Sequence, residues 1–352
     1  MEYTLGVKNW IQDWIRSLNL EMARELKGPI MQRKEGVTRI LFATDIHGSN
    51  VCWKKFISAA KFFDANVLVC GGDTTGKAVV PIVEKNDGTY KCISLGEKGN
   101  VLKGKDEVEE MIDLVSNLGY YPYILTEKEL EDIQNSDDPR GLTQRLFKNL
   151  MKERIEQWIK IAEERLLNKG VSCYVCPGND DPFEIDEVWK KSKAIVHAEG
   201  KRLNIDDHYT MISSGWTNPT PWKTYREADE EQLERMFEKM ISKVEDMNYC
   251  IFNLHAPPYN SGVDEAPELD KDLRPKYAGQ SMIPVGSKAV RTVIERHQPP
   301  LSLHGHIHES RGERKIGKTI AVNPGSSYTE GWLRAVIIDL EPSNLTIRFH
   351  TG

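Results

Sequence analysis

The 352-residue sequence has no apolar run long enough to span a bilayer, no dense basic stretch, no internal repeat and no low-complexity segment. The first absence excludes a membrane-spanning helix as the organising element. The second removes the electrostatic footprint of strong non-specific nucleic-acid binding, because 47 basic and 53 acidic residues are interspersed. The N-terminus lacks the basic, apolar and small-residue layout of a signal peptide, so a cytoplasmic protein without a membrane partner is expected. Cysteine is sparse, and several of the six lie inside apolar strand-like runs, as reduced buried thiols do. Cys173 and Cys176 have C-x-x-C spacing, but "VSCYVCPG" reads as a strand whose positions i and i+3 face opposite ways. A redox pair is disfavoured.

What is present is the pattern of a globular α/β chain. Trp10, Ile11, Trp14, Ile15, Leu18, Met22 and Leu26 recur at helical spacing, so residues 8–29 are expected as an amphipathic helix packed on the body. "TRILFAT" (38–44) and "NVLVC" (66–70) read as buried strands around a helix at about 50–63. Two β-rich runs flank Asn86-Asp87-Gly88, a hairpin signal within 78–95. From 104 to 169 the chain reads as mostly helical, with a capping box at Thr126 and Glu129. Strands return at 171–178, as short antiparallel runs at 194–214, and at 249–255 after a charged helix over 227–246. A helix opens near Ser287, and short strands fill 300–349. Strands that alternate with helices early and cluster late indicate layered α/β architecture.

The ends of these strands carry the chemistry. "LFATDIHG" ends in Asp45 and His47, "VLVCGGD" in Asp73, "YVCPGND" in Asn179 with Asp180 and Asp181 behind it. "IFNLH" ends in His255, and "LHGHIHES" holds His304, His306 and His308. Strand C-termini are where α/β sheets build ligand sites. A lone Asp or His after a strand is usually a cap or a satisfied histidine; oxygen and nitrogen ligands recurring at five strand ends are not. Alternate positions on an extended chain share a face, so spacing leaves open which of the three late histidines would ligate.

The order D-x-H, G-G-D, G-N-D, a lone His before Ala-Pro-Pro, then G-H-x-H resembles the calcineurin-like metallophosphoesterases over about 38–340. The flanks "GGDTTGKAVVPIV", "NPTPWKTYRE", "VGSKAVR" and "GHIHESRG" look like a prokaryotic branch of uncharacterised phosphoesterases. The resemblance implies one domain over 1–352, a four-layer α/β/β/α sandwich of two mixed sheets, with a hairpin-plus-helical insertion at about 75–170. It implies one metal held by Asp45, His47, Asp73 and His308, and a second by Asp73, Asn179, His255 and His306. His304 is left as a structural histidine. Asp73, Asn179 and His255 are the expected catalytic positions.

The implied cofactors are two divalent ions of the Mn, Fe, Co, Ni or Zn kind, which this mixed donor set suits without selecting one. The implied reaction is hydrolysis of a small phosphate ester, a phosphodiester by preference, by in-line attack of a hydroxide bridging ions roughly 3.5–4 Å apart. Many relatives carry His directly after the Asn; here Asp180 stands there, with an expected pKa near 4 and no capacity to act as a strong general acid. Nucleic acid is not indicated as a partner but stays open, as does an oligomer.

Two other readings compete. Gly71, Gly76 and Lys77 fit most of a P-loop, but Ala78 replaces the Ser or Thr that reaches magnesium, and β-branched residues and Pro81 follow where a helix should begin. A metal-bearing scaffold without turnover would keep the same ligands. Substrate choice is expected in the insertion and in the loop at 216–226, where Trp216, Trp222, Tyr225 and Arg226 line a pocket or merely pack.

Overall fold

The computed structural model describes residues 32–93, 100–341 and 344–352; the helix expected at 8–29 lies outside the described residues. Strand β1 (Thr38–Ala43) leads into helix α1 (Asn50–Phe62), whose cap Ser49 accepts from the Cys52 amide, and then into β2 (Val67–Cys70). An excursion follows: β3 (Val79–Glu84), β4 (Thr89–Cys92), β5 (Asn100–Lys103), α2 (Gly104–Asn117), β6 (Tyr121–Thr126), α3 (Glu127–Gln134) and α4 (Pro139–Leu166). The chain returns through β7 (Ser172–Val175) and β8 (Ile195–His197). Its second half comprises β9 (Lys201–Asn204), β10 (Thr210–Ser214), α5 (Glu230–Ile241), β11 (Cys250–Leu254), β12 (Glu265–Pro267), β13 (Met282–Pro284) and α6 (Lys288–His297). It closes with β14 (Leu301–Leu303), β15 (Gly312–Ile316), β16 (Thr319–Asn323), β17 (Arg334–Glu341) and β18 (Asn344–Thr351).

Two six-stranded mixed sheets form the body, in the orders β18-β17-β1-β2-β7-β8 and β15-β16-β14-β11-β10-β9. Their central strands run parallel; antiparallel strands close both edges of the second sheet and the β18 edge of the first, whose other edge strand, β8, runs parallel to β7. The period-2 alternation of β1 shows how the layers arise. Ile40 and Phe42 meet Ile251, Leu301 and Leu303 between the sheets, whereas Leu41 and Ala43 face Trp53, Phe56 and Ile155 on the helical side. On the opposite face Phe237 of α5 and Val290, Val293 and Ile294 of α6 cover Phe252 and Leu254. The layer order is therefore α/β/β/α, that of a metallophosphoesterase-like sandwich. Cys173 belongs to the outer cluster and Cys176 to the inner one, so the C-x-x-C pair points to opposite sides and all six thiols are free and buried.

The excursion builds its own four-stranded sheet, β5-β4-β3-β6, with a small core of Val80, Ile82, Leu102, Val108 and Val115. The hairpin and the capping box stand where the turn and cap residues place them. One expectation, the mostly helical stretch, holds with an interruption, and another needs correcting. The stretch 104–169 is not all helix, because "YPYILT" pairs as β6 with β3; its pairing energy comes from a strand far earlier in the chain. In addition, Ile195–His197 is not part of an antiparallel run but extends the first sheet parallel to β7. Among the described residues no helix is long and apolar enough to cross a membrane.

Candidate metal centre

All the expected site residues follow the C-terminal ends of strands in the two packed sheets. Asp45 and His47 follow β1, Asp73 follows β2 and Asn179 follows β7; His255 follows β11, and His306 and His308 follow β14. Four of these residues take left-handed backbone: Asp45 (φ 53°), His47 (38°), Asp73 (47°) and His306 (66°). Such conformations cost of order 1–3 kcal/mol each for non-glycine residues and persist only where surrounding structure enforces them. Here backbone bonds enforce them: the Asp45 amide donates to Gly72 O, His47 to Asp73 O and Gly48 to Thr74 O.

Three groups of ligand atoms result, one of them made by His47, Asp73 and Asp180. Asp45, His47 and His308 offer donors within 4.8 Å of one another, and so do Asp73, His255 and His306. Asp73 Oδ2 lies 3.4 Å from His255 Nε2 and 3.7 Å from His47 Nε2, so its carboxylate stands between the groups. The histidines are oriented from behind: Nδ1 of His47 faces Thr75 O at 3.2 Å, and Nδ1 of His255 faces Gly71 O at 3.2 Å. Each carbonyl favours the proton on Nδ1 and leaves the Nε2 lone pair facing the cluster.

Asn179 donates from Nδ2 to Thr224 Oγ1 at 2.8 Å, which leaves Oδ1 buried without a partner; His255 Nε2 is also buried and unpartnered. Buried polar atoms are rarely left unsatisfied, so these orphaned donors to a cation fit the metals that the resemblance implies.

The electrostatics divide the histidines. Burial, the largest single influence, would raise the carboxyls of Asp45 and Asp73, but the imidazoles together outweigh it, His255 and His308 at Asp45 and His255, His47 and His306 at Asp73, and both stay below the usual range. Burial lowers His47 to about 3, helped by Lys77, and lowers His306 to about 4, helped by His255. Both are neutral, as a ligand must be. His255 goes the other way: burial opposes its proton, yet Asp73 and Asp45 push it up to about 9.

Three residues beyond the expected set hold the loops. Asp181 is buried and accepts from the amides and hydroxyls of Thr74 and Thr75 and from the Gly178 amide, fixing the chain just after Asp73. Arg154 of α4 donates to Gly48 O at 2.6 Å and to Ser116 and Tyr120, which clamps the insertion against the His47 loop. Thr224 positions Asn179. Sequence reading had no signal for Arg154 or Thr224, because their partners are distant along the chain.

The loop at 216–226 divides. Arg226 is wholly buried, paired with Asp186 at 2.6 Å and bonded to Asp181 O, so it packs; Trp222 is 63% exposed. After Lys77 and Ala78 comes β3 rather than a helix, so no helix N-terminus is available for the P-loop reading.

Asp180 differs from expectation. Its carboxyl is raised to about 6, first by burial and then by Asp73, while Lys77 pulls the other way. The rise brings it closer to the range of a general acid than an ordinary aspartate, although the Lys77 ammonium 3.1 Å away favours the ionised form, which remains the major one at neutral pH.

His304 is fully buried, with Nδ1 facing the carbonyls of Leu254 at 2.8 Å and Ala256 at 3.0 Å. It belongs to neither ligand group. His304→Gln is expected to keep both metal equivalents by elemental analysis, with a modest fall in melting temperature; loss of one equivalent would make it a ligand.

No family model matches the sequence. Uncharacterized protein MJ1162 of Methanocaldococcus jannaschii is 33% identical over 172 residues, which are 48% of this chain and 70% of that protein. One solved crystal structure shares 17% identity at a TM-score of 0.52 and covers 89% of this chain and 98% of its own. TT1561 of Thermus thermophilus shares 15% identity at a TM-score of 0.47, with the same coverage. At such identities the likeness to the first structure is one of fold.

Proposed function

We propose that this chain, which belongs to the same family as uncharacterized protein MJ1162 of Methanocaldococcus jannaschii, is a metal-dependent phosphoric ester hydrolase acting on phosphodiesters. The observation that carries this reading is the meeting of two Asp/His groups around Asp73, with Asn179 Oδ1 buried and unpartnered beside them. Asp45, His47, Asp73 and His308 would hold one ion, and Asp73, Asn179, His255 and His306 the other. Two such ions, when bound, shield the phosphoryl charge and acidify a water between them.

The chain's own groups do the rest. Strained backbone and carbonyl-oriented imidazoles pre-position the donors, so little reorganisation is needed at the moment of reaction. Asn179 ligates without adding charge, which limits repulsion of an anionic ester. The reaction forms one phosphorus–oxygen bond to water and breaks another to the leaving alcohol, whose oxygen needs a proton. Asp180, paired with the Lys77 ammonium, is mostly ionised at neutral pH and supplies that proton from a minor fraction only. Aryl leaving groups, which depart as stable anions, should therefore outpace alkyl ones.

The test is hydrolysis of an aryl and an alkyl phosphodiester, with phosphomonoesters and cyclic nucleotides alongside, against Mn, Fe, Co, Ni and Zn. Metal-dependent turnover with aryl far above alkyl esters is expected. Two bound metals with no turnover on any ester would favour the scaffold reading instead.

A further inference from the structure

Lys77 lies outside the ligand set but at its mouth. Its Nζ is 3.1 Å from Asp180 Oδ2, and its side chain keeps 48% of its surface exposed, whereas Asp45, His47, Asp73 and His255 are at most 4% exposed. Asp180 in turn donates its amide to Asp73 Oδ1 at 2.9 Å, so the ammonium stands one residue's width from the shared carboxylate. The charge of Lys77 is felt by His47 and His308, and by Tyr328, whose ring packs 4.7 Å from His47 and 6.0 Å from His308. Asp180 shares a group of ligand atoms with His47 and Asp73, so the lysine paired with it stands on the His47 side of the cluster, where Tyr328 also packs.

We propose that Lys77 is a substrate-contacting residue: its ammonium binds a non-bridging phosphoryl oxygen, and its pairing with Asp180 sets the strength of that contact. This rests on the phosphoesterase reading for the identity of the ligand, but not for the existence of an anion subsite. A lysine ammonium carries three N–H donors, so the Asp180 pairing leaves donors for an incoming anion. Asp180 alone would repel a phosphoryl group approaching Asn179; the Lys77 charge offsets it.

The placement has a local cause. Gly76 allows Lys77 to turn in: a Cβ there would lie 1.8 Å from Gly119 O, and the Gly76 amide donates to Tyr121 Oη at 3.0 Å. The insertion's own strand β6 therefore fixes the loop that presents the lysine.

The experiment is calorimetric binding of inorganic phosphate to the metal-loaded full chain, with metal content measured for each protein. Lys77→Met should weaken phosphate about tenfold or more, the size expected of a lost charge-assisted hydrogen bond, with both metals kept. Lys77→Arg should stay within about threefold of the parent, and Asp180→Asn should bind phosphate a few-fold more tightly because a competing carboxylate is gone. Phosphate affinity unchanged in Lys77→Met with metals intact would overturn the proposal, as would a parent protein that binds no phosphate. If no ester is turned over yet Lys77→Met still loses phosphate, the hydrolase reading fails and the anion subsite stands.

Discussion

Asp73→Asn should lose both metals and essentially all turnover. Asp73 stands between the two groups, with Oδ2 facing His255 and His47 and Oδ1 accepting the Asp180 amide. An amide keeps the shape but removes the charge that both ions and the His255 proton respond to. Changes to groups that merely orient ligands cost about ten- to a hundredfold in metal affinity or activity, so loss of a shared ligand should exceed a hundredfold. Elemental analysis and hydrolysis of an aryl phosphodiester measure the two effects together. An Asp73→Asn protein holding two metals per chain would disprove the bridging role.

Gly178→Ala should be almost as damaging, for a steric reason. A Cβ at Gly178 would stand 2.1 Å from Asp73 Oδ1 and 2.3 Å from Asp73 N. Asp73 cannot yield: its backbone is left-handed, and Asp181 ties the next two residues from below. The Gly178 amide itself donates to Asp181 Oδ2 at 2.9 Å, so moving residue 178 instead breaks that bond. Overpacking of this kind costs typically 1–3 kcal/mol, and here the displaced group is a ligand. The expected result is a lower melting temperature with metal content below one ion per chain. Gly312→Ala is the control, because the nearest atom to a Cβ there is 3.5 Å away and neither stability nor metal content should change. A Gly178→Ala protein that binds two metals normally would show that the loop can shift freely.

How far the site could be read in advance follows from the range of the forces involved. The strands that deliver Asp45, Asp73, Asn179 and His255 are short apolar runs, and the residues that leave them are chemically conspicuous. The hairpin turn, capping box and the Ser287 cap rest on contacts within four residues and lie where local chemistry puts them. The strand β6 could not be seen in the same way. Its Pro122 and helical flanks speak against a strand, and only the long-range partner β3 makes it one; the proline is tolerated because β6 is an edge.

By itself the sequence determined the donor types, the turn residues and the alternation that gives each sheet two apolar faces, since all of these depend on neighbours within a few positions. It left open which late histidine stands apart, the partners of Arg154 and Thr224, the ionisation of Asp180, and the meeting of Lys77 with it. Those depend on atoms far apart in the chain coming within about 3 Å, where burial and Coulomb interactions act most strongly. Asp180 illustrates the difference. Its ordinary pKa follows from its chemistry, but the rise to about 6 follows from lying under protein and beside Asp73, and the tertiary structure alone decides both.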